Sequence, residues 1–187
     1  MSVRLIRPPR LADARGWFCE TYSRRTMAEM GIAMEFVQDN HSFSRAAGAV
    51  RGLHFQRPPH AQAKLVRCVR GAVWDVAVDL RRASPTYGKW AAAELDARGG
   101  AQMFIPAGYG HGFVTLEPET EIEYKVSDFH AADHEGGIAW NDPDLALPWP
   151  LPPGAPILSG RDRGLPAFAG FVSPFDYDGV PLTAPEP

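Results

Sequence analysis

KLVRCVRGAVWDVAVDL, residues Lys64 to Leu80, decides the fold. Apolar and polar residues alternate on either side of Arg70-Gly71 with a period of two, the period of a strand and not of a helix. Trp74, Val76, Val78 and Leu80 share one strand face, and Asp75 and Asp79 the other. A hairpin turning at Gly71 is the simplest account.

Outward from this stretch the same texture recurs. WFCETY, EFVQDNHSF, AVRGLHFQ, KWAAAEL, AQMFIP, HGFVTLE and EIEYKVSD are short runs rich in Val, Ile and aromatics, separated by Gly, Pro and Asp. That is the pattern of an antiparallel sandwich or barrel. One helix is expected, Arg24 to Met30, with Ser23 as N-cap and Gly31 as stop. From Pro143 onward the chain carries eleven of its 18 prolines, so regular strands are not expected there. Trp140 and Trp149 mark WNDPDLALPWPLPPGAP as an extended covering packed on the barrel. The final TAPEP reads as a loose end. At 187 residues the chain fits one domain, residues 1–187, with a barrel core of about 15–142 and a covering segment and tail of 143–187.

Composition excludes several functions. A net charge of -3 and a pI near 6.1 lack the basic excess that holds a nucleic-acid backbone. MSVRLIRPPR has no apolar leader core, and no run reaches the 18 or so apolar residues of a membrane span, so the expected compartment is the cytoplasm, with no membrane partner. Cys19 and Cys68 have neither disulfide-framework nor zinc spacing. Among 19 basic residues only Lys64, Lys89 and Lys125 are lysines. In a chain so biased to arginine, Lys64 stands out as a position where a compact ammonium is required.

The informative residues are polar ones set inside apolar strands: Gln38, Asn40, Arg51, His54, Lys64, His111 and Tyr124. Taken singly, each is explained as a satisfied buried group. Together, on successive strands, they have the composition of a lined ligand cavity. His54 is the candidate base, because an imidazole takes and returns protons near neutrality. Arg51 and His54 differ by an odd number and so face opposite ways in an uninterrupted strand; a bulge at Gly52 would bring both inward. Pro106-Ala107-Gly108-Tyr109-Gly110-His111 has the P-x-G-x-x-H form that carries a histidine to the mouth of a cupin barrel. Metal-binding cupins add an H-x-H pair and a glutamate, whereas this chain has His54-Phe55-Gln56. One histidine and one amide make a poor cage, so no metal site is expected.

DARGWFCETY, FVQDNHSFS, VRGLHFQ, KLVRCVRGAVWDVAVDLR, SPTYGKW, IPAGYGHGF, EYKVSD, HEGGIAWNDP and PILSGRD, in this order from Arg15 to Asp162, resemble the dTDP-4-dehydrorhamnose 3,5-epimerase family. The resemblance implies an all-β, cupin-like double-stranded β-helix (jelly-roll) barrel with no cofactor, and a homodimer that exchanges N-terminal strands. It implies an isomerase of dTDP-rhamnose biosynthesis that converts dTDP-4-dehydro-6-deoxy-D-glucose to dTDP-4-dehydro-L-rhamnose. His54 falls on the family's base, Tyr124 on its acid, Asp162 on the carboxylate that orients the base, and Lys64 beside the developing enolate. Arg15, Glu20, Gln38, Asp39, Asn40, Arg51, His111 and Glu135 fall on positions that contact the nucleotide, diphosphate or sugar. Arg161 stands where lysine is common. Phe129 and His130 replace a usual pair of tyrosines, and FAGFVSPFDYDG does not align with the family pattern. The alternatives are epimerisation at C3 alone, a metal-dependent cupin such as a dioxygenase or sugar-phosphate isomerase, and a non-catalytic sugar-nucleotide-binding barrel.

Overall fold

The computed structural model describes residues 1–184; the last three residues of the expected loose tail lie outside that range. In chain order the strands are β1 Arg4–Ile6, β2 Arg10–Asp13, β3 Gly16–Cys19, β4 Gln38–Ser44, β5 Val50–Gln56, β6 Lys64–Arg70 and β7 Ala72–Asp79. They continue with β8 Arg81–Arg82, β9 Trp90–Asp96, β10 Gln102–Ile105, β11 Tyr109–Thr115, β12 Thr120–Val126, β13 Glu135–Gly137 and β14 Phe175–Asp176. Two short helices, α1 Arg24–Glu29 and α2 Gly160–Arg163, complete the elements used below. α1 begins where the sequence places it, with the Ser23 hydroxyl accepting from the Thr26 N–H, the bond expected of an N-cap.

Two five-stranded antiparallel sheets face each other, one ordered β1-β10-β6-β12-β4 and the other β13-β5-β11-β7-β9. This is the expected cupin-like jelly roll. The first sheet starts earlier than the expected barrel limit near residue 15, because Arg4–Ile6 pairs with β10. The expected hairpin at Gly71 is not formed. β6 pairs with β10 and β12, and β7 with β11 and β9, so the chain crosses from one sheet to the other at Gly71, which sits at φ +74°. A left-handed glycine lets the strand turn the barrel corner instead of doubling back.

Val66, Val73, Ala77, Leu95, Met103, Phe113 and Ile122 fill the space between the sheets. β7 is buried on both faces. Val73, Asp75, Ala77 and Asp79 point into the barrel, whereas Val76, Val78 and Leu80 face outward and pack under Leu145, Leu147, Trp149, Phe168 and Phe175 of the proline-rich segment. That segment is the predicted covering, and each large apolar side chain it buries contributes about 1.5–3 kcal/mol. Its far end is tied by Arg81, 2% exposed, which donates to both Asp79 oxygens at 2.8 Å and to Asp178 at 2.7 Å. On the first sheet, Met27 and Ile32 cover Ile6, Leu65 and Phe104. The outer side chains of the β2–β3 hairpin are left uncovered by the described residues: Leu11, Trp17 and Phe18 are 66%, 57% and 68% exposed.

Candidate active site

Parity along β5 is resolved by a bulge. Opposite β11, His54 pairs with His111 and Arg51 with Phe113, three residues of β5 against two of β11. Gly52 provides the extra residue at φ +123°, where a side chain would put its Cβ 2.6 Å from the Gly112 Cα and 2.6 Å from the His111 carbonyl oxygen. Only glycine fits. The two side chains therefore reach one cavity of about 290 Å³, lined by Ser42, Arg51, His54, Lys64, His111, Phe113, Tyr124, Ser159, Arg161 and Asp162.

Asp162 comes from the covering segment. Ser159 caps α2, accepting from the Asp162 N–H at 3.0 Å, and its hydroxyl donates to Asp162 Oδ2 at 2.8 Å. The other oxygen, Oδ1, lies 2.5 Å from His54 Nε2. Burial by itself would raise the Asp162 carboxyl, but the bonds from His54, Ser159 and the Gly52 backbone hold it below the usual carboxylate range. An ionised partner assigns the proton to Nε2 and leaves Nδ1 of a neutral His54 with its lone pair.

Across the barrel, on the first sheet, stand Lys64 of β6 and Tyr124 of β12. Burial brings the Lys64 ammonium down to about 8, against the opposing charges of Asp75 and Glu135. Its Nζ donates to His111 Nδ1 at 3.4 Å, and His111 Nε2 lies 3.0 Å from each oxygen of Asp75, which is wholly buried. Burial also lowers His111, with Asp75 pulling the other way. The chain Asp75–His111–Lys64 is thus a carboxylate, a neutral imidazole with one fixed tautomer, and an ammonium held by it. Tyr124 is raised by burial, with Arg51 opposing, so its phenol keeps its proton throughout the neutral range.

Most of the residues expected from the sequence meet here. His54, Asp162, Lys64, Tyr124, Arg51, His111 and Arg161 line the cavity, and Glu135 is ion-paired to Arg161 at its edge. Asn40, opposite Tyr124, and Gln38 face the same interior, joined by an amide hydrogen bond of 2.8 Å. Three expected residues lie elsewhere in this chain. Asp39, odd-numbered on β4, faces outward and pairs with Lys125 at 2.7 Å. Arg15 sits at the tip of the β2–β3 hairpin, bonded to Asp13, and Glu20 accepts from the Thr26 hydroxyl. Of the replaced tyrosines, Phe129 is 63% exposed and His130 bonds Glu135 through Nε2 at 3.1 Å.

Asp75, Ser42, Phe113 and Ser159 were not among the residues expected at the site. A carboxylate in the middle of a strand of otherwise apolar residues was the available signal for Asp75, and Ser-x-x-Asp opening a helix was the one for Ser159. Gln56, in the second place of an H-x-H pair, spends its amide on the His60, Phe129 and Ala131 backbone. Among the described residues no three His, Cys, Asp or Glu side chains form a group that could hold a metal ion.

A polarised imidazole on one sheet, with a protonated phenol and an ammonium on neighbouring strands of the other, is the set of groups that suits a jelly-roll isomerase moving protons beside a carbonyl. The sequence profile described as dTDP-4-dehydrorhamnose 3,5-epimerase matches residues 1–170. A dTDP-4-dehydrorhamnose 3,5-epimerase from Pseudomonas aeruginosa is 52% identical over 169 residues, 90% of this chain and 92% of that one. Crystal structures agree. The Bacillus anthracis 3,5-epimerase with TDP and pyrophosphate bound superposes with a TM-score of 0.86 at 46% identity, covering 88% of this chain and 93% of that one. The dTDP-6-deoxy-D-glucose 3,5-epimerase of Legionella pneumophila, in complex with dTDP-4-keto-L-rhamnose, gives 0.89 at 36% identity over 95% and 94%. The chain belongs to the dTDP-4-dehydrorhamnose 3,5-epimerase family.

Proposed function

We propose that this protein epimerises dTDP-4-dehydro-6-deoxy-D-glucose at C3 and C5, giving dTDP-4-dehydro-L-rhamnose. The observation that carries the reading is one cavity shared by His54, held by Asp162 on one sheet, and by Tyr124 and Lys64 on neighbouring strands of the other. A C4 ketone acidifies the C–H bonds at C3 and C5. His54 Nδ1 takes one of these protons, the freed pair forms a double bond between that carbon and C4, and the carbonyl π pair moves onto the C4 oxygen. The resulting enolate oxygen is stabilised by the Lys64 ammonium. Tyr124 then delivers its phenolic proton to the carbon from the opposite face, inverting it. Solvent discharges the His54 imidazolium and restores Tyr124, and the cycle repeats at the second carbon. Acid and base each contribute roughly 10²–10⁴-fold in such reactions. Arg51 and Arg161 supply the positive charge a diphosphate needs at the mouth.

The chain works as one domain and, on this reading, as a cytoplasmic homodimer. The exposed Leu11, Trp17 and Phe18 support an exchanged arm, since a monomer rarely leaves so much apolar surface on one hairpin. The arm would carry Arg15 and Glu20 to the cavity of the other copy. Two free cysteines fit a reducing compartment, and no helix of the described residues is long and apolar enough to cross a membrane.

The test is turnover of dTDP-4-dehydro-6-deoxy-D-glucose in D₂O, followed by NMR. Deuterium at both C3 and C5 is expected, with the L-rhamno couplings seen in a parallel reaction in H₂O, and near-complete loss of both in His54→Asn. Absence of exchange at either carbon in the wild type overturns the reading.

A further inference from the structure

Among the described residues that line the cavity, Phe113 is the only wholly apolar side chain; the others carry charges, hydroxyls or an imidazole. It is 4% exposed, lies on β11 opposite Asp75 of β7 and Arg51 of β5, and its ring sits 6.3 Å from that of His111. The catalytic chemistry uses none of it. An apolar face in so polar a pocket calls for an apolar group on the ligand, because a polar one facing it loses its hydrogen bonds to water without replacement.

Resting on the function proposed above, pyranose geometry says which group that is. C1 and C4 stand opposite each other across the ring. A C4 ketone directed at Lys64 sends C1 and its diphosphate toward the mouth, where Arg51 and Arg161 stand. Two substituents then remain deep in the cavity, one on each side of the ketone: the C3 hydroxyl and the C6 carbon on C5. Ser42, His54 and Tyr124 offer hydrogen bonds for the hydroxyl. Only Phe113 offers a surface for a methyl. We infer that Phe113 receives the C6 methyl and is the residue that selects 6-deoxy sugars against their 6-hydroxy counterparts. One apolar group in a fitted pocket discriminates by roughly 10–200-fold, and the hydroxyl of a 6-hydroxy sugar would press against the ring with no partner.

Calorimetry on the intact protein tests this without catalysis, using dTDP, dTDP-6-deoxy-D-glucose and dTDP-D-glucose, neither sugar having the ketone needed for turnover. The wild type is expected to bind the 6-deoxy sugar at least ~10-fold tighter than dTDP-D-glucose. Phe113→Tyr, which places a hydroxyl at the ring edge with little change of volume, should bring the ratio close to one while leaving dTDP affinity unchanged. Phe113→Leu should keep the preference for the 6-deoxy sugar. Phe113→Thr, smaller and at ease in a strand, repeats the loss if the tyrosine variant fails to fold. A wild type that does not discriminate, or tyrosine and threonine variants that discriminate as the wild type does, overturns the assignment. Failure of dTDP itself to bind overturns the function on which it rests.

Discussion

Lys64→Met separates what the site costs the fold from what it gives the reaction. In the unfolded chain Lys64 titrates as an ordinary lysine near ~10.4. Folded, burial brings it down to about 8. Below pH 8 the ammonium is charged in both states, and the folded protein carries the whole desolvation penalty. Between about 8 and 10.4 the unfolded chain holds a proton that the folded one has released, so stability rises with pH. The full interval corresponds to about 3 kcal/mol. Lys64 is only half-buried and its cavity is open to water, so about 1–2 kcal/mol is recoverable by a methionine of similar length. Against this, methionine gives up the 3.4 Å bond to His111, a long hydrogen bond worth less than about 1 kcal/mol. The net expectation at pH 7 is a melting temperature about 2–4 °C above the wild type for a chain of this length. The difference should shrink toward zero by pH 10, when wild-type Lys64 is neutral. Over the same series, deuterium exchange into the ketosugar should fall roughly 10²–10³-fold, the loss of a preorganised donor to the enolate. Melting curves at pH 7 and pH 10 and exchange followed by NMR are sufficient. A Lys64→Met protein that melts below the wild type at pH 7, or a difference that persists unchanged to pH 10, refutes the reasoning.

Tyr124→Phe removes the opposite-face proton and should leave products inverted at one carbon at most, read by NMR of the unreduced sugar; full inversion at C3 and C5 would remove Tyr124 as the acid. Gly52→Ala forces a Cβ against the Gly112 backbone at φ +123°, and should lower stability by about 1–3 kcal/mol in denaturant titration while misaligning His54; an unchanged midpoint would show that the bulge relaxes freely. Exhaustive chelation should leave turnover intact, since Gln56 is committed to the backbone of the 57–60 and 129–131 loops; loss of activity restored by one transition metal would favour the metal-dependent alternative.

The jelly roll was legible because a period of two survives any arrangement of sheets, and so was the covering role of the proline-rich segment, from its tryptophans. Partnering was not. Alternation tells which residues share a face, not which strand lies beside them, and Gly71 reads the same whether it closes a hairpin or turns a corner between sheets. The same ambiguity hid Asp75. The face of β7 that carries Trp74, Val76, Val78 and Leu80 is the more apolar one, yet it is the outer face, made into core by Leu145, Trp149 and Phe175. The barrel interior received Asp75 and Asp79 with Val73 and Ala77. A local pattern ranks two faces by polarity; which of them surrounds a cavity is set by a segment some seventy residues away. Conversely, the bulge at Gly52 could be anticipated, because two residues with jobs in one cavity and odd spacing leave few other solutions.

Arg15, Glu20 and Asp39 show a different limit, and they divide in an instructive way. Asp39 is on the outer face by strict parity with Gln38 and Asn40, and its carboxylate is occupied by Lys125. Bringing it inward would turn both neighbours outward, so its proximity in sequence to cavity residues has no consequence for the cavity. Arg15 and Glu20 are constrained by no such parity. Arg15 is at the tip and Glu20 just past the end of a hairpin whose Trp17 and Phe18 stay exposed among the described residues. A resemblance between sequences records that residues of these types meet substrate; it does not record which copy of the chain supplies them. The exposed hairpin and the two site residues that lie away from the cavity belong to the same twenty residues, so the proposed homodimer gives both features one explanation.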